Sequence, residues 1–325
     1  MPRNIGETMR IGDHSRRKGR AVHAGTRDTR YRSAVRLFRS GRARELRRAV
    51  ALFREAAECG LPEAQFALAC CYAEGDGVRK NNALEIKWLR AAAAQGYPSA
   101  AYNLGVAYEE GEGVPSDAAE AVRWYRSAAA AGETCAQYNL GLCYERGKGV
   151  RADLRKAAEL YKQAAMKGDM DALHNLALCY QNGWGVKKNV VAAARFYRRA
   201  ARRGHLNAQF NLGILYQEGK GVRRSRTRAL KWYICAARQG DVEAQFNCAL
   251  LYDQERRGAL DVSEAVRWYR KAAVKGHAPA QCNLGVMYMS GDGVRKNPRI
   301  AMSWFRKAAA QGDRFAQDNL AATSS

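Results

Sequence analysis

The sequence comprises 325 residues, 47% of them hydrophobic, and carries a formal net charge of +24 at pH 7. These values exclude a wholly disordered chain, and since no apolar run nears the roughly 20 residues that span a bilayer, we predict no membrane span. The excess of basic residues favours an acidic partner, which is nucleic acid, an anionic membrane surface or an acidic protein, although it also serves solubility.

The first segment, residues 1–26, shows no hydrophobic periodicity. Its arginine-rich run HSRRKGRAVHAGTR begins at residue 14 and extends to residue 27, and this composition predicts a disordered basic tail. Three roles are open for the tail: a basic localisation signal, an arm that contacts phosphates, or part of an organelle transit peptide. Glu7 and Asp13 argue against the transit peptide, because such peptides are poor in acidic residues.

Residues 27–63 are predicted to form a pair of helices. Ala56 and Ala57 followed by Gly60 match the pattern that closes each later copy of a repeat, and the turn at Gly41 is shorter than the later turns. We interpret 27–63 as a degenerate repeat that caps the N-terminal end of an array.

A repeat of 36 residues follows. Seven tyrosines, each 36 residues after the previous one, mark it: Tyr72, Tyr108, Tyr144, Tyr180, Tyr216, Tyr252 and Tyr288. An opening alanine stands eight residues before each tyrosine, and Gly-x-Gly-Val follows in most copies. Seven full copies cover 64–315, and self-similarity at such a period is typical of a solenoid of stacked helical units.

Every copy is predicted to contain two helices. Ala136, Leu140 and Tyr144 recur at the spacing of a buried helical stripe. The mid-helix glycine of this copy, Gly141, is replaced only by alanine in other copies, which predicts close approach of another helix. The paired glycines after the first helix are interpreted as turn residues, because the Lys-Ser/Thr of a phosphate-binding loop is missing.

Two places depart from the pattern. The sixth copy reads DQERRGALDV at 253–262 where other copies have the glycine turn, so we expect a loop of different shape within an unchanged repeat length. After residue 315 the chain holds only the start of another copy, and we interpret 316–325 as a truncated terminal helix with a frayed end.

The frame A-x-(F/Y)-N-L-G-x-x-Y-x-x-G-x-G-V, followed by A-x-x-W-Y-(R/K)-x-A-A-x-x-G, resembles the Sel1-like repeat family over residues 64–321. That family is related to the tetratricopeptide repeats. The resemblance implies an all-α fold, an α/α right-handed superhelical solenoid of 36-residue helix-turn-helix repeats. It also implies an adaptor for protein complexes, without an enzymatic activity common to the family.

Nine cysteines include no Cys-x-x-Cys and no zinc-type Cys/His spacing, so we predict no metal site and no cofactor. Some secreted members of the family carry a repeated cysteine pair that bridges consecutive helices, and Cys59, Cys135, Cys235, Cys248 and Cys282 do not follow that scheme. We expect reduced thiols and an intracellular, cytoplasmic protein. The nucleus or an organelle matrix is the alternative if the N-terminal tail is a targeting signal.

By analogy with tetratricopeptide repeats, the first helix of each pair is expected to line the concave side. Two and three residues after the opening alanine, a row of rings lies beside a ladder of asparagines, which suits an extended peptide or packing between repeats. The predicted partner-binding residues are Phe66, Tyr102, Asn103, Tyr138, Asn139, His174, Asn175, Phe210, Asn211, Phe246 and Asn247.

Basic residues recur three apart on the second helices, as at Arg123 and Arg126, and are expected on the convex side. The densest loop cluster gives a predicted polyanion site at Arg223, Arg224, Arg226 and Arg228, all placed in one exposed loop. The large aromatics of the second helices follow the buried stripe, so we assign them to the core: Trp88, Trp124, Phe196, Trp232, Trp268 and Trp304.

These patterns predict a non-catalytic scaffold that binds a protein or peptide partner on its concave face. An active site needs unlike residues at one place, whereas a repeat puts like residues everywhere, so we predict no catalytic residues and no small-molecule substrate. The alternative is an accessory factor that associates with RNA or another polyanion through the basic convex face and loops.

Overall fold

The computed structural model of the protein describes residues 24–255 and 259–322. In these residues the regular structure consists of seventeen α-helices, in two compact units that divide between Asp169 and Met170. The first unit contains α1 (Ala24–Phe38), α2 (Ala43–Glu58), α3 (Pro62–Glu74), α4 (Asn82–Ala94), α5 (Pro98–Glu110), α6 (Ala118–Ala130), α7 (Thr134–Arg146) and α8 (Leu154–Met166). The second contains α9 (Met170–Asn182), α10 (Val190–Arg202), α11 (Leu206–Glu218), α12 (Arg226–Arg238), α13 (Val242–Glu255), α14 (Ala259–Val274), α15 (Ala278–Ser290), α16 (Pro298–Ala309) and α17 (Arg314–Ala322).

Within each unit the helices pack as successive pairs. The first helix of a pair contacts the second, and the second contacts the first helix of the next pair. In the first unit α3, α5 and α7 begin 36 residues apart. The predicted fold class, an all-α solenoid of 36-residue helix-turn-helix repeats, is confirmed.

The core of each pair is built from small residues and one large ring. The opening alanines, such as Ala136, are fully buried, and so is the second-helix ring: Tyr125, Tyr161, Tyr197, Tyr233, Tyr269 and Phe305. The aromatic residue just before this ring was predicted to be core, and this is correct only for Trp268. Trp88, Trp124, Phe196, Trp232 and Trp304 are half-buried, because one residue of a helix is a turn of about 100° from the next and lies at the edge of the stripe.

The buried ring explains the mid-helix glycine. A Cβ atom on Gly141 would lie 2.7 Å from Cε1 of Tyr161, closer than a carbon contact permits. The predicted close approach of another helix is therefore confirmed, and that helix is the second helix of the same pair.

The glycine turn has one recurring geometry. The N–H of Asp153 donates to the carbonyl of Tyr144 at 2.9 Å, and the Asp153 side chain caps α8 by accepting from the N–H groups of Arg155 and Lys156. Gly149 has φ 68°, and a Cβ there would lie 2.0 Å from the carbonyl oxygen of Ala118 in the preceding pair. The turn interpretation of these glycines is confirmed.

The sixth copy has a different connection, as expected. Its second helix, α14, begins at Ala259, so Asp261 lies within the helix, whereas its counterpart Asn297 caps α16. Residues 256–258, between α13 and α14, lie outside the described residues.

At both ends of the chain, the observed helix boundaries differ by a few residues from the predicted ones. Residues 1–23 and 323–325 lie outside the described residues, and so does most of the predicted basic tail. Helix α1 begins at Ala24, so residues 24–26 are helical and do not belong to a disordered segment. The terminal helix begins at Arg314, two residues before the predicted start.

Candidate partner-binding faces

One side of α5, α7, α9, α11, α13 and α15 forms a strip of side chains at two, three, six and nine residues after the opening alanine, and these are partly exposed except for the buried Asn103 and Cys282. The same four positions of α3 are buried. We call the strip on these six helices the first-helix strip. In the first unit it contains Tyr102, Tyr138, Asn103, Asn139, Val106, Leu142, Glu109 and Glu145. In the second unit it contains His174, Phe210, Phe246, Asn175, Asn211, Asn247, Leu178, Ile214, Leu250, Gln181, Gln217 and Asp253.

The rings of the strip are half-buried and lie against the core rings. The centroid of Tyr102 is 6.0 Å from that of Tyr125, and Tyr138 is 5.9 Å from Tyr161. Burial raises the pKa of Tyr102 to about 12, so its hydroxyl stays protonated at physiological pH. Phe66, at the start of the row, is buried and only 6% exposed.

A carboxylate of the strip is bound by the core tyrosine. The Tyr125 hydroxyl donates to Glu109 at 2.7 Å, and Lys148 donates to the same carboxylate at 2.8 Å. Burial alone would raise the pKa of Glu109, but the hydrogen bonds from Lys148 and Tyr125 outweigh it and hold that pKa below its ordinary value. Lys148 belongs to the glycine turn of the next repeat, so the bond ties two repeats together.

His174 takes the place of a ring in the second unit. Its imidazole stacks on His205 at 4.8 Å between centroids. The amide of Asn211 donates to its Nε2, and its Nδ1 donates to the Asn175 oxygen, both at 3.2 Å. Burial lowers the pKa of His174, so the ring is a neutral structural partner.

The asparagine ladder also makes internal bonds. Asn139 donates to the Tyr125 hydroxyl at 3.4 Å, and Asn247 donates to the Glu243 carbonyl at 3.0 Å. Asn103 is buried at 9% exposure. A primary amide has two donor hydrogens and one acceptor oxygen, so a single internal bond leaves capacity for a second partner.

Aliphatic residues lie in the same strip. They occupy the position six residues after the opening alanine and are partly exposed: Val106, Leu142, Leu178, Ile214, Leu250 and Val286. The first copy has the buried Cys70 at this position. No role was predicted for this position from the sequence.

The sequence analysis did not predict a role for a row of buried glutamines. Gln209 donates to the Ala201 carbonyl at 3.1 Å, and Gln281 donates to the Ala273 carbonyl at 2.9 Å. Each of these carbonyls lies near the end of the preceding second helix and also accepts from the glycine N–H three residues later, Gly204 or Gly276. The glutamine therefore adds a second bond, which links two consecutive helix pairs. The signal was present, because glutamine directly follows the opening alanine in most copies.

The second helices present a different surface. Some of their arginines are not simply solvated: Arg126 donates to the Tyr144 hydroxyl at 3.1 Å, and Arg198 donates to Tyr216 at 3.1 Å. Others bond only within their helix, as Arg123 does with Glu120. The recurring tyrosine is thus held by an arginine 18 residues upstream, a second spacing that the sequence contained.

The predicted polyanion cluster is divided between two elements. Arg223 and Arg224 lie in the loop, but Arg226 and Arg228 lie in the first turn of α12, because Ser225 caps the helix there. All four side chains are exposed. Arg224 also donates to the Gln217 carbonyl at 3.1 Å.

Within residues 24–255 and 259–322, no group of three or more His, Cys, Asp or Glu side chains is placed to hold a metal ion. Over the same residues, no helix combines the length and apolarity needed to cross a membrane.

The repeated pairs and their two unlike sides define a helical repeat protein of the solenoid class. The model of the Sel1 repeat matches residues 31–61, 62–97, 98–133, 136–169, 171–205, 206–241, 242–277 and 278–313. The chain therefore belongs to the Sel1 repeat family, and the segment interpreted as a degenerate copy is itself matched. Proteins of this family are in general protein-interaction scaffolds, and their fold is typically non-catalytic.

Two solved structures are similar over most of the chain. One is c5321, a protective antigen present in uropathogenic Escherichia coli strains and displaying an SLR fold, with 37% identity, a TM-score of 0.87, and coverage of 92% of this chain. The present chain spans 65% of the length of that antigen. The other is a Sel1 repeat protein from Oxalobacter formigenes, with 31% identity, a TM-score of 0.68, and coverage of 92% of this chain and 87% of that one. Among curated proteins, none matches the sequence.

Proposed function

We propose that the protein is a non-catalytic scaffold that binds a segment of a partner protein along the first-helix strip. The observation that carries this proposal is the row of partly exposed aliphatic side chains, such as Leu178, Ile214 and Leu250, beside half-buried rings and amides. The rings are held against buried tyrosines, so little side-chain entropy is lost when a partner binds.

The chemistry of the strip supports binding without catalysis. The Tyr125 hydroxyl is held as a hydrogen-bond donor, because burial, and then the bond to Glu109, raise its pKa. The hydroxyls of Tyr161, Tyr233 and Tyr269 also donate to side chains of the strip. A hydroxyl that stays protonated and bonded to its neighbour is not a base for a substrate. Apart from the neutral His174 ring and the hydroxyls of Tyr102 and Tyr138, the remaining polar groups of the strip are amides and paired carboxylates, which suit recognition of a peptide backbone.

Ile214 and Ile234 allow a matched test. Both are half-buried isoleucines of one helix pair, but Ile214 lies on the strip and Ile234 on the second helix. A photo-crosslinking residue at position 214 should trap a partner polypeptide in native cells, and the same residue at 234 should not. Equal adducts from both positions, or none from 214, would contradict the proposal.

The ring positions are a poorer target for the same experiment. Tyr102, Tyr138 and Phe210 are half-buried against core rings, so their truncation is expected to lower stability as well as binding. Photo-crosslinking at the aliphatic row leaves these ring contacts in place.

We also propose that the protein works in a reducing compartment, as an intracellular protein does. Cys70, Cys71, Cys143, Cys179, Cys248 and Cys282 are buried, and burial raises the pKa of Cys71 to about 12 and that of Cys143 to about 11. Thiol titration of native protein should detect the exposed Cys59 and Cys135 first, and denaturation should expose all nine. Fewer than eight thiols after denaturation would indicate a disulfide and contradict this location.

A further inference from the structure

The stretch from Gly183 to Gly240 is almost free of acidic residues. It contains fourteen lysines and arginines and one carboxylate, Glu218, which is paired with Lys220 at 2.9 Å. Ten of the fourteen are arginines, whose planar guanidinium groups bind phosphate oxygens in pairs. The nearest acids along the chain are engaged, since Asp171 bonds to His205 and Asp241 caps a helix by accepting from the Ala244 N–H.

The two second helices of this stretch, α10 and α12, lie side by side. Near their N-terminal ends, a Cβ on Gly221 would lie 2.3 Å from the carbonyl oxygen of Val190. Beyond their C-terminal ends, Gln239 donates to the Gly204 carbonyl at 2.9 Å. Contacts at both ends fix the helices next to each other in the same direction.

The outward faces of these helices are in register. Arg195 on α10 corresponds to Lys231 on α12, and Arg202 corresponds to Arg238, each 36 residues apart. All four are exposed, as are Arg199 and Arg228. We call this set of six side chains the α10–α12 surface. Its positive charge is continuous because α10 and α12 contain no acidic side chain.

Trp184 precedes α10 in the same stretch of the chain. It is in the glycine turn directly before α10 and is 43% exposed. The other described glycine turns have a charged residue at this position: Asp76, Glu112, Lys148, Lys220 and Asp292. Among the described residues Trp184 makes no ring or cation contact, and Lys187 and Lys188 in the same turn are exposed.

We propose that the α10–α12 surface and Trp184 bind single-stranded nucleic acid, with phosphates against the arginines and a base stacked on the indole. A cationic groove with an exposed aromatic ring is the combination that such ligands use. An acidic protein would use the cations alone and leave the indole without a partner. This ligand is distinct from the peptide proposed for the first-helix strip. It would bind on second helices, α10 and α12, whereas the peptide would bind on first helices.

Fluorescence anisotropy of a labelled oligouridylate of about 20 nucleotides, titrated with the full chain, tests the charge. Affinity should fall with salt, with a slope of about −0.7 for each phosphate contact. The triple variant Arg195→Glu, Arg199→Glu, Lys231→Glu should bind at least ~10-fold more weakly and with a slope less steep by about 2.

Trp184→Ala tests the stacking separately. It should weaken oligouridylate binding by about 5- to 100-fold without changing the salt slope, since stacking on an aromatic ring releases no counterion. Binding of inorganic polyphosphate, which has phosphates but no bases, should be unchanged. Trp184→Phe should retain most of the affinity.

A matched control uses second helices of the first unit. Lys87→Glu, Arg123→Glu, Lys162→Glu makes the same charge change on α4, α6 and α8, where the side chains are also exposed. This control should weaken binding only slightly, and circular dichroism should show unchanged melting for all variants.

Four outcomes would overturn the proposal: no binding at low salt, equal loss in the control, no effect of Trp184→Ala, or displacement of the oligonucleotide by polyglutamate as effective as by unlabelled oligonucleotide. The last would assign the surface to an acidic protein. Each of these outcomes leaves the crosslinking test of the first-helix strip unaffected.

Discussion

The first and second helices use polar side chains in opposite ways. On the first-helix strip, polar groups are bonded to other parts of the protein, as Glu109 is to Tyr125 of the second helix and to Lys148 of the next repeat. On the second helices many charges face water, and the Arg123 side chain is 72% exposed. Because exposed charge contributes little to stability, the second-helix side can vary its charge from copy to copy. The fold is specified by the buried side chains and leaves that surface open to functional change.

The largest expected contrast is between a core ring and a surface cation. Tyr161 is fully buried, so Tyr161→Ala should destabilise the protein by about 3–5 kcal/mol. Arg199 is exposed, and Arg199→Ala should change stability by no more than about 0.5 kcal/mol. Urea denaturation followed by circular dichroism measures both. Similar losses would mean that the second-helix surface also specifies the fold.

The next contrast concerns the helix contact itself. Gly141→Ala places a Cβ 2.7 Å from the Tyr161 ring, and such overpacking costs about 1–3 kcal/mol, more than the roughly 1 kcal/mol that alanine gains in helix propensity. Ala177→Gly, at the same position of the fifth Sel1 match, is the control and should cost at most about 1 kcal/mol. A stabilised Gly141→Ala would show that the helices can separate without loss.

Two arginines of α6 are expected to differ in their contribution to stability. Arg126 donates to the Tyr144 hydroxyl in the next repeat, and Arg126→Ala should cost about 1 kcal/mol. Arg123 pairs only with Glu120 in its own helix, and Arg123→Ala should cost about 0.5 kcal/mol or less. Thermal melting of the two variants in parallel checks the order. The reverse order would remove the distinction between structural and solvated arginines.

The smallest effect depends on pH. The bonds to Glu109 hold its pKa low, so the folded state favours the carboxylate. Its stabilising contribution is complete above the ordinary glutamate pKa of about 4.3 and is lost as the pH falls through the lowered value in the folded state. Glu109→Gln should therefore be less stable than the unsubstituted protein at pH 7, and the difference should narrow below about pH 4.3. Urea denaturation at several pH values measures it, and a difference that widens in acid would contradict the assignment.

Much of the fold was predictable because each recurring position of the repeat has the same physical role in every copy. A tyrosine every 36 residues, an opening alanine and a small residue in mid-helix each recur in seven copies. A substitution in one copy therefore does not hide the pattern, because the other copies still show it. The turn glycines were equally clear. By contrast, the sequence assigned Trp124 and its counterparts to the core, since a one-residue difference in helical phase is below what such a pattern resolves.

The candidate sites were less predictable. From the sequence, both packing and binding were open for Tyr138 and Asn139, and packing was favoured for the asparagine. In the structure the Tyr138 ring lies against Tyr161, and the Asn139 amide bonds to the Tyr125 hydroxyl. The sequence analysis placed Arg226 and Arg228 in a loop, although Ser225 starts a helix before them. No role was predicted for Trp184, because the exposure of its side chain depends on which residues pack around the turn.

The sequence by itself determined the repeat, its length, its two helices and its net charge, because these follow from local spacing and composition. The tertiary structure decided which polar side chains form hydrogen bonds within the protein and which stay exposed to solvent. Arg126 and Arg123 have the same side chain on the same helix, yet only Arg126 reaches the tyrosine of the next repeat. Whether a charge is a structural bond or a free surface depends on distances between residues far apart in the chain, and those distances exist only after the helices have packed.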